Sequence, residues 1–310
     1  MLDLISKGLF HLLASSEGLK NLASTHGMRR SGFARRFIAG ETVHEAIDVA
    51  TRLEKENLTV TIDLLGESVT KPQEAKKSTR EYLDIMDSMV DAEICHNLSL
   101  KLTQIGLDVD RATAVDNLRR ILDFAQRYEF FVRIDMESSR YTQVTLDIFE
   151  TIWHLGYRNA GIVLQTALRR TTQDVQRMIR LGARVRLVKG AYKESWAIAY
   201  PSKREVDHAY VRLTEALITK GTYLAIATHD SKIIEMTKVI ARAQGKSPDE
   251  FEFQMLYGIR RDLQHALLKQ GYRVRVYIPF GREWFPYFMR RLGERPANVG
   301  FVLKSLAREG

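Results

Sequence analysis

Hydrophobic residues occur along the chain in two alternating kinds of segment. Short β-type runs end in polar residues, and each is followed by a loop and a longer stretch with helical periodicity. The eight runs lie at residues 60–64, 98–103, 131–137, 161–165, 184–189, 223–228, 251–256 and 274–279. Each interval has room for one helix, which predicts an α/β fold, a single TIM-type (β/α)8 barrel. An open doubly wound sheet is the competing architecture.

The chain shows no Gly-rich or Ser-rich linker between these units, so we expect its 310 residues to form one domain. Residues 1–57 precede the first strand and are predicted to form extra N-terminal helices that pack on the barrel and cover its bottom. Residues 58–310 are predicted to form the barrel, including a C-terminal helix after the last strand.

Within the predicted strands, apolar and polar residues alternate. Residues 98, 100 and 102 are leucines, for example, whereas residues 99, 101 and 103 are polar. Helix-length intervals exclude hairpins, so the apolar positions are expected to face outward helices and the polar positions to face the barrel lumen. The charged residues predicted to face inward include Lys101, Asp135, Glu137 and Arg186. Burying such charges is costly unless they pair or meet a ligand, which predicts a functional site at the C-terminal ends of the strands.

The net charge of +9 raises the alternative of a nucleic-acid-binding protein. However, the positive residues are dispersed, which is typical of solvated helix faces. Several arginines also lie at inward strand positions, whereas a nucleic-acid interface needs a continuous outer face. We therefore expect no nucleic-acid partner. The single cysteine indicates a reducing compartment, and no apolar run is long enough to span a membrane, so a cytoplasmic location is expected.

Residues 28–37 combine two arginine pairs with Phe33 and Phe37, which share one face at helical spacing. Such a segment can rest on an anionic membrane, which would place the protein peripherally on the inner face of the cell membrane. Alternatively, it packs on the barrel. The sequence leaves both alternatives open.

Several familiar sites are absent from the sequence. There is no Rossmann or P-loop glycine motif, no zinc-binding pattern and no nucleophile elbow, so we expect no metal. Instead, the strand that carries Arg186 leads to Lys189, Gly190 and Ala191, where backbone N–H groups can approach an anion or an electron-rich ring. An ordinary strand-end turn explains this pattern equally well.

A second candidate segment follows the last strand. Arg290 and Arg291 are adjacent and point about 100° apart on a helix, an arrangement that suits a carboxylate or a phosphate. Glu294 is close enough in sequence to pair with either arginine. The alternative is an exposed basic helix end. His229 is also open to two interpretations, as a base or ligand and as a hydrogen-bonding residue.

Taken together, these segments resemble the proline dehydrogenase family of flavoenzymes. The resemblance runs from about residue 36 to the C-terminus, and its motifs stand in the family's order at residues 63–67, 99–103, 133–137, 163–165, 185–194, 227–230, 252–258, 277–281 and 290–296. It implies FAD-dependent oxidation of L-proline to Δ1-pyrroline-5-carboxylate by hydride transfer, the first step of proline degradation to glutamate. The chain is similar to the monofunctional bacterial form, without the aldehyde dehydrogenase of longer relatives.

The resemblance also implies roles for individual residues. Arg290, Arg291 and Lys101 would hold the proline carboxylate. Tyr277, Tyr192 and Leu256 would enclose the proline ring. Glu294 would pair with the arginines, and Asp135 would orient Lys101 and line the site.

Arg186 would lie beside the reactive flavin nitrogen and stabilise the negative charge that arrives with the hydride. The positions that match FAD contacts are Met136, Gln165, Arg186, Lys189, Gly190, Ala191, Lys203, Thr228, His229 and Gln254. The family's usual electron acceptor is a membrane quinone, which gives the basic segment 28–37 a function. A different flavin barrel, such as a methylenetetrahydrofolate reductase, is the alternative enzyme, but its pterin-like substrate does not need two adjacent arginines.

Overall fold

A computed structural model describes Met28 and residues 33–294, except for the side chains of Phe33 and of residues 292–294. Eight parallel strands close into a barrel in chain order, and the last strand pairs with the first. The strands are β1 Thr59–Leu64, β2 Asn97–Leu100, β3 Phe131–Ile134, β4 Ala160–Gln165, β5 Arg184–Val188, β6 Leu224–Ala227, β7 Phe251–Leu256 and β8 Arg273–Phe280. The predicted (β/α)8 fold is confirmed, and the doubly wound alternative is wrong.

Helices connect the strands and form the outer layer of the barrel. In the described residues they are α1 Val43–Lys55, α2 Pro72–Asp91, α3 Arg111–Arg127, α4 Ser139–His154, α5 Thr171–Leu181, α6 Lys203–Lys220, α7 Ser231–Ala243, α8 Arg261–Lys269 and α9 Trp284–Glu294, with a short 3-10 helix, Phe33–Arg36, before them. None of the helices in this part of the chain is both long and apolar enough to cross a bilayer.

Local sequence determines where several helices begin. Thr42 and Glu45 form a capping box at the start of α1, and Ser202 and Glu205 form another at the start of α6. In each box the hydroxyl accepts a hydrogen bond from a free backbone N–H, and the glutamate accepts one in return. Each capping box therefore determines the residue at which its helix begins.

Both faces of the barrel sheet are buried. The outward leucines and isoleucines pack under the helices, and the inward polar side chains Ser99, Arg133 and Arg186 are at most 4% exposed. Parallel barrel strands usually read as continuous hydrophobic runs. The alternation in this chain arises because the lumen is polar, as the sequence predicts.

The described part of residues 1–57 lies at the side and at the C-terminal end of the barrel, so the expectation that these residues cover its bottom is wrong for this part. Helix α1 packs on β1 and β8. In a regular barrel, the helix that follows β8 occupies this position. Before it, the Ala39 N–H donates to the Pro279 carbonyl at 2.9 Å. Gly258 has a φ of +74°, and a Cβ there would lie 1.6 Å from the Arg36 carbonyl oxygen, so only glycine admits this contact.

Helix α9 covers the C-terminal end of the barrel through a second, smaller hydrophobic core. Phe37 is 1% exposed in this core and lies 6.2 Å from Phe288, ring centroid to ring centroid. Arg35 pairs with Glu45 at the start of α1. For residues 33–37 the packing alternative is therefore supported. The first arginine pair, at residues 29 and 30, lies outside the described residues.

Candidate active site

Five polar side chains meet in the upper lumen, and we call them the upper charge cluster: Asp63, Lys101, Asp135, Arg186 and Tyr277. Lys101 is 8% exposed, and its Nζ lies 3.4 Å from Oδ1 of Asp63, which is fully buried. Burial raises the pKa of the Asp63 carboxyl to about 6, with Lys101 opposing this shift and Asp135 adding to it. Burial lowers the pKa of Lys101, but Asp63 and Asp135 outweigh burial and raise it overall. Lys101 is thus held as a buried cation.

Asp135 binds partners other than the predicted one. Its Oδ1 accepts a hydrogen bond from Nη1 of Arg186 at 2.7 Å, and its Oδ2 accepts one from the Tyr277 hydroxyl at 2.9 Å. Nη2 of Arg186 donates to the Ser99 hydroxyl at 3.1 Å. The expected Lys101–Asp135 pair is therefore wrong. Asp135, which follows β3, is level with Lys101, which follows β2. However, Arg186 reaches Asp135 from β5, two strands further round the barrel, and Lys101 pairs with Asp63 of β1 on its other side.

Glu137 lies just above this cluster, after β3. Its carboxylate accepts hydrogen bonds from the Thr103 N–H at 3.2 Å and the Thr103 hydroxyl at 2.6 Å. Burial raises the pKa of Glu137 to about 7, although Thr103 and the charge of Lys101 oppose the shift. Glu137 thus links the loops after β2 and β3 at the rim of the site.

The predicted arginine pair lies on α9, above the barrel mouth. Nη1 of Arg290 lies 3.2 Å from Oε1 of Glu67, which is in the loop after β1. Arg291 lies over the Tyr287 ring, 5.1 Å from its centroid. Burial raises the pKa of Tyr192 to about 12, Glu67 adds to this shift, and Arg290 opposes it, so these three groups are neighbours.

Two further substrate-site predictions concern Leu256 and Glu294. Leu256 ends β7 and packs on the hydrophobic core beneath α9, as a wall residue would. The Glu294 side chain lies outside the described residues, so its pairing with the arginines stays a prediction.

Two of the predicted cofactor contacts, Lys189 and Lys203, share a pair of carboxylates. Lys189 Nζ lies 2.6 Å from Asp207 and 2.8 Å from Asp230, and Lys203 also contacts both. Burial would raise the pKa of Asp230, but the two lysines outweigh it and hold this pKa below its ordinary value. The result is a compact ionic cluster between the end of β5, the end of β6 and the start of α6.

The remaining predicted cofactor residues line the same end of the barrel, and most follow a strand. Gln165 donates to the carbonyls of Met136 at 3.2 Å and Glu137 at 2.9 Å. Nε2 of His229 accepts a hydrogen bond from the Leu256 N–H at 3.0 Å, which supports the hydrogen-bonding interpretation of this histidine. The others are Gly190 and Ala191 after β5, Thr228 after β6, and Gln254, which lies deeper and donates to Glu252.

A second group of charges lies at the opposite end of the lumen, and we call Arg133, Tyr223, Glu252 and Arg275 the lower charge cluster. Nε of Arg275 lies 3.0 Å from Oε1 of Glu252, and Tyr223 donates to the same carboxylate at 3.3 Å. Arg133 donates to the carbonyl of Arg184 at 2.8 Å. Burial would raise the pKa of Glu252, but Arg275, together with Gln254 and Arg133, outweighs burial and lowers it.

Sequence reasoning missed the roles of Asp63, Glu67, Asp207 and Asp230. Asp63 had a usable signal, because it occupies an inward position on the strand that neighbours Lys101. Asp207 and Asp230 lie on α6 and in the loop after β6, and nothing in their local sequence indicates that they meet.

Comparison with known proteins gives a consistent result. Residues 46–304 match the family model described as "Proline dehydrogenase". Proline dehydrogenase 2 of Bacillus subtilis is 40% identical over 99% of this chain and 100% of its own length. Proline dehydrogenase of Deinococcus radiodurans is 39% identical over 89% of this chain and 90% of its own length.

The crystal structure of proline utilization A from Bdellovibrio bacteriovorus, inactivated by N-propargylglycine, superposes with a TM-score of 0.77. It is 28% identical, and the match covers 84% of this chain and 32% of that protein. On the family match and the full-length similarity to its relatives, the chain belongs to the proline dehydrogenase family.

Proposed function

We propose that the protein is an FAD-dependent oxidoreductase that acts on the CH–NH group of L-proline and produces Δ1-pyrroline-5-carboxylate. Family membership and relatives named as proline dehydrogenases support the reaction. The observation that carries the proposal is the position of the upper charge cluster. A buried lysine–aspartate pair and a largely buried arginine–aspartate pair lie beneath a helix that carries two adjacent arginines.

In this proposal, Arg290, Arg291 and Lys101 bind the substrate carboxylate. Guanidinium groups suit this role because they donate two parallel hydrogen bonds to a carboxylate. Lys101 supports it from below as a buried ammonium group. Tyr277, Tyr192 and Leu256 supply the aromatic and aliphatic surface for the carbon atoms of the proline ring, and Glu294 supports the arginines.

The residues present also fit FAD. Nε of Arg186 is buried and has no hydrogen-bond partner among the described residues, so one of its donors is available to a ligand in the lumen. Gly190 has a φ of +106°, and a Cβ there would lie 3.3 Å from Gln165 and Ala167, so the backbone is close-packed at this point. Lys189 and Lys203 offer positive charge for the phosphates. Met136, Ala191, Thr228, His229 and Gln254 would complete the cofactor contacts.

FAD, when bound, accepts the hydride from the substrate carbon. The role of the chain is to hold positive charge where negative charge develops, and Arg186 is assigned to it. Asp135 is a positioning residue in this proposal, because its carboxylate fixes both Arg186 and Tyr277. Asp63 does the same for Lys101.

Electrons are then passed on to a membrane quinone, and the protein works in the cytoplasm with peripheral contact to the inner face of the cell membrane. The excess of positive charge, +9, supports contact with an anionic surface.

Anaerobic titration of the purified holoprotein with L-proline tests the proposal. We expect the flavin absorbance to bleach and pyrroline-5-carboxylate to form in equal amount. In a fully FAD-loaded Arg186→Ala variant, reduction at saturating proline should be about 100-fold slower. A flavin that proline leaves oxidised would refute the proposed reaction, and normal reduction in the variant would refute only the role of Arg186.

A further inference from the structure

The loop between β5 and α6, residues 189–202, holds the most exposed aromatic side chain of the described chain. Trp196 is 78% exposed and Ile198 is 44% exposed, whereas the other two tryptophans, Trp153 and Trp284, are at most 9% exposed. A tryptophan at this exposure leaves a large apolar surface in water, and tryptophan is enriched at interfaces where one side is apolar and the other is wet.

The exposure of this loop is fixed by its own hydrogen bonds. The Ile198 N–H donates to the Ser195 carbonyl at 3.0 Å, which closes a tight turn around Trp196. The Ile198 carbonyl accepts from the Arg169 N–H at 3.0 Å, and Ala199 forms an antiparallel bridge with Leu168. The turn is therefore pinned to the segment after β4 and projects its apolar side chains outward.

Exposed cations lie on the segments that flank this turn or are hydrogen-bonded to it. Lys193, Arg169 and Arg204 are all exposed, and no carboxylate of the described residues lies within ion-pair distance of them. The nearest acid in sequence, Glu194, is turned away, because its carboxylate accepts a hydrogen bond from the Ser139 N–H at 2.7 Å at the start of α4. The turn thus combines an interfacial aromatic residue with a positive rim.

We propose that this turn, with its basic rim, docks the barrel on an anionic phospholipid surface. Tryptophan favours the headgroup level of a bilayer, and lysine and arginine are attracted to anionic lipids. The loop begins at Lys189, directly after β5, so it lies at the same end of the barrel as the upper charge cluster. Docking there turns the mouth of the site toward the membrane. The inference deepens the proposed function, because a quinone dissolved in the bilayer would approach at this end.

The experiment uses the FAD-loaded protein with vesicles of phosphatidylcholine, alone or mixed with phosphatidylglycerol. We expect co-sedimentation with the mixed vesicles, weakened by salt. Because Trp153 and Trp284 are buried, a blue shift of tryptophan fluorescence and its quenching by brominated lipid will report on Trp196. Trp196→Ser should weaken binding by roughly tenfold or more, and Lys193→Gln and Arg204→Gln by about fivefold each.

Val239→Ser is the matched control, since Val239 is 55% exposed on α7, and its binding should equal that of the wild type. Every variant is first checked for normal proline oxidation with a soluble dye, which tests the reaction without a membrane. The proposal is overturned if phosphatidylglycerol does not increase vesicle binding of the wild type, or if Trp196→Ser binds vesicles as well as the wild type does. It is also overturned if the fluorescence shift depends on protein concentration and not on lipid, which would indicate a contact between copies of the chain.

Discussion

The two ends of the barrel lumen each contain a buried carboxylate next to a cation, yet the pKa values of the two carboxylates are shifted in opposite directions. Glu252 of the lower charge cluster has a lowered pKa, because Arg275, together with Gln254 and Arg133, outweighs the effect of burial. Asp63 of the upper charge cluster has its pKa raised to about 6, because burial outweighs Lys101 and the charge of Asp135 adds to it. Glu252 is 4% exposed and Asp63 is 0% exposed, so burial alone does not explain the difference.

The difference lies in how fully hydrogen bonds and positive charge replace the hydration that each carboxylate loses on burial. Glu252 meets Arg275 through both carboxylate oxygens, at 3.0 and 3.2 Å, and receives further hydrogen bonds from Tyr223 and Gln254. Asp63 meets Lys101 only at 3.4 and 3.5 Å, shares the Tyr277 hydroxyl with Asp135, and has the Asp135 charge near by. The Glu252–Arg275 pair is therefore a well-compensated structural unit, whereas the Asp63–Lys101 pair has polar capacity left for a ligand. Each cluster also contains one buried arginine Nε without a hydrogen-bond partner among the described residues, on Arg133 below and on Arg186 above.

Breaking the lower cluster should therefore cost mainly stability. Arg275→Met strands the Glu252 carboxylate in the lumen, and we expect the free energy of unfolding to fall by about 3–5 kcal/mol. Chemical denaturation measures this loss. Lys269→Met, which removes an exposed cation at the end of α8, is the control and should stay within about 0.5 kcal/mol of the wild type. A loss below 1 kcal/mol for Arg275→Met would contradict the comparison.

Changes above the upper cluster should instead affect turnover. Arg290→Ala and Arg291→Ala each remove a charged hydrogen-bonding partner of the proposed substrate carboxylate, which should lower kcat/KM by about 30- to 1,000-fold, or roughly 2–4 kcal/mol. Steady-state kinetics with proline measure the effect, and FAD content should not change. Arg282→Ala, just before α9 and exposed, is the control. Kinetics within threefold of the wild type would exclude the arginines from the site.

Much of this comparison could be anticipated from the sequence, and some of it could not. The eight β-type runs located all eight strands. The alternation of polar and apolar residues within some of them placed Lys101 and Arg186 in the lumen, because strand geometry fixes the direction of each side chain. The choice of partner was not fixed in this way. Lys101 has an aspartate on one neighbouring strand and another at the end of the other, and its pairing with Asp63 depends on Arg186 reaching Asp135 from β5, two strands away.

The position of the N-terminal segment is a second feature that the sequence could not predict. Its helical pattern was visible, but its position beside β8 depends on the close approach of the Arg36 carbonyl to Gly258, more than two hundred residues away. Such long-range packing leaves no local pattern in the chain.

Raised pKa values in the upper part of the lumen predict an inverted pH dependence. Glu137 titrates near its usual value of 4.5 when unfolded and at about 7 when folded. Between these values the unfolded state has already lost its proton while the folded state retains it, so stability falls as pH rises. We expect the free energy of unfolding of the wild type to fall by about 3 kcal/mol across this pH window, and we expect Glu137→Gln to abolish this decrease. Unfolding titrations of both proteins at several pH values measure it, and parallel curves would contradict the burial of an ionisable Glu137.

The smallest effect should be the coupling between Lys101 and its partner. Lys101→Met leaves Asp63 without its cation, but this carboxyl already titrates near pH 6 and can take up a proton, so the variant should lose less stability than Arg275→Met. Asp63→Asn leaves the Lys101 ammonium group buried without its nearest carboxylate. If the two form a pair, the double variant should be more stable than the sum of the single changes predicts, with a coupling energy of about 1–3 kcal/mol.

The same cycle between Lys101 and Asp135 should give a smaller value, because Asp135 binds Arg186 and Tyr277. Proline turnover should stay low in every variant that lacks Lys101, since the proposed contact with the substrate carboxylate is lost even when stability recovers. Equal coupling in the two cycles would show that the lysine is shared between both aspartates, and the upper cluster would then be one delocalised network instead of two pairs.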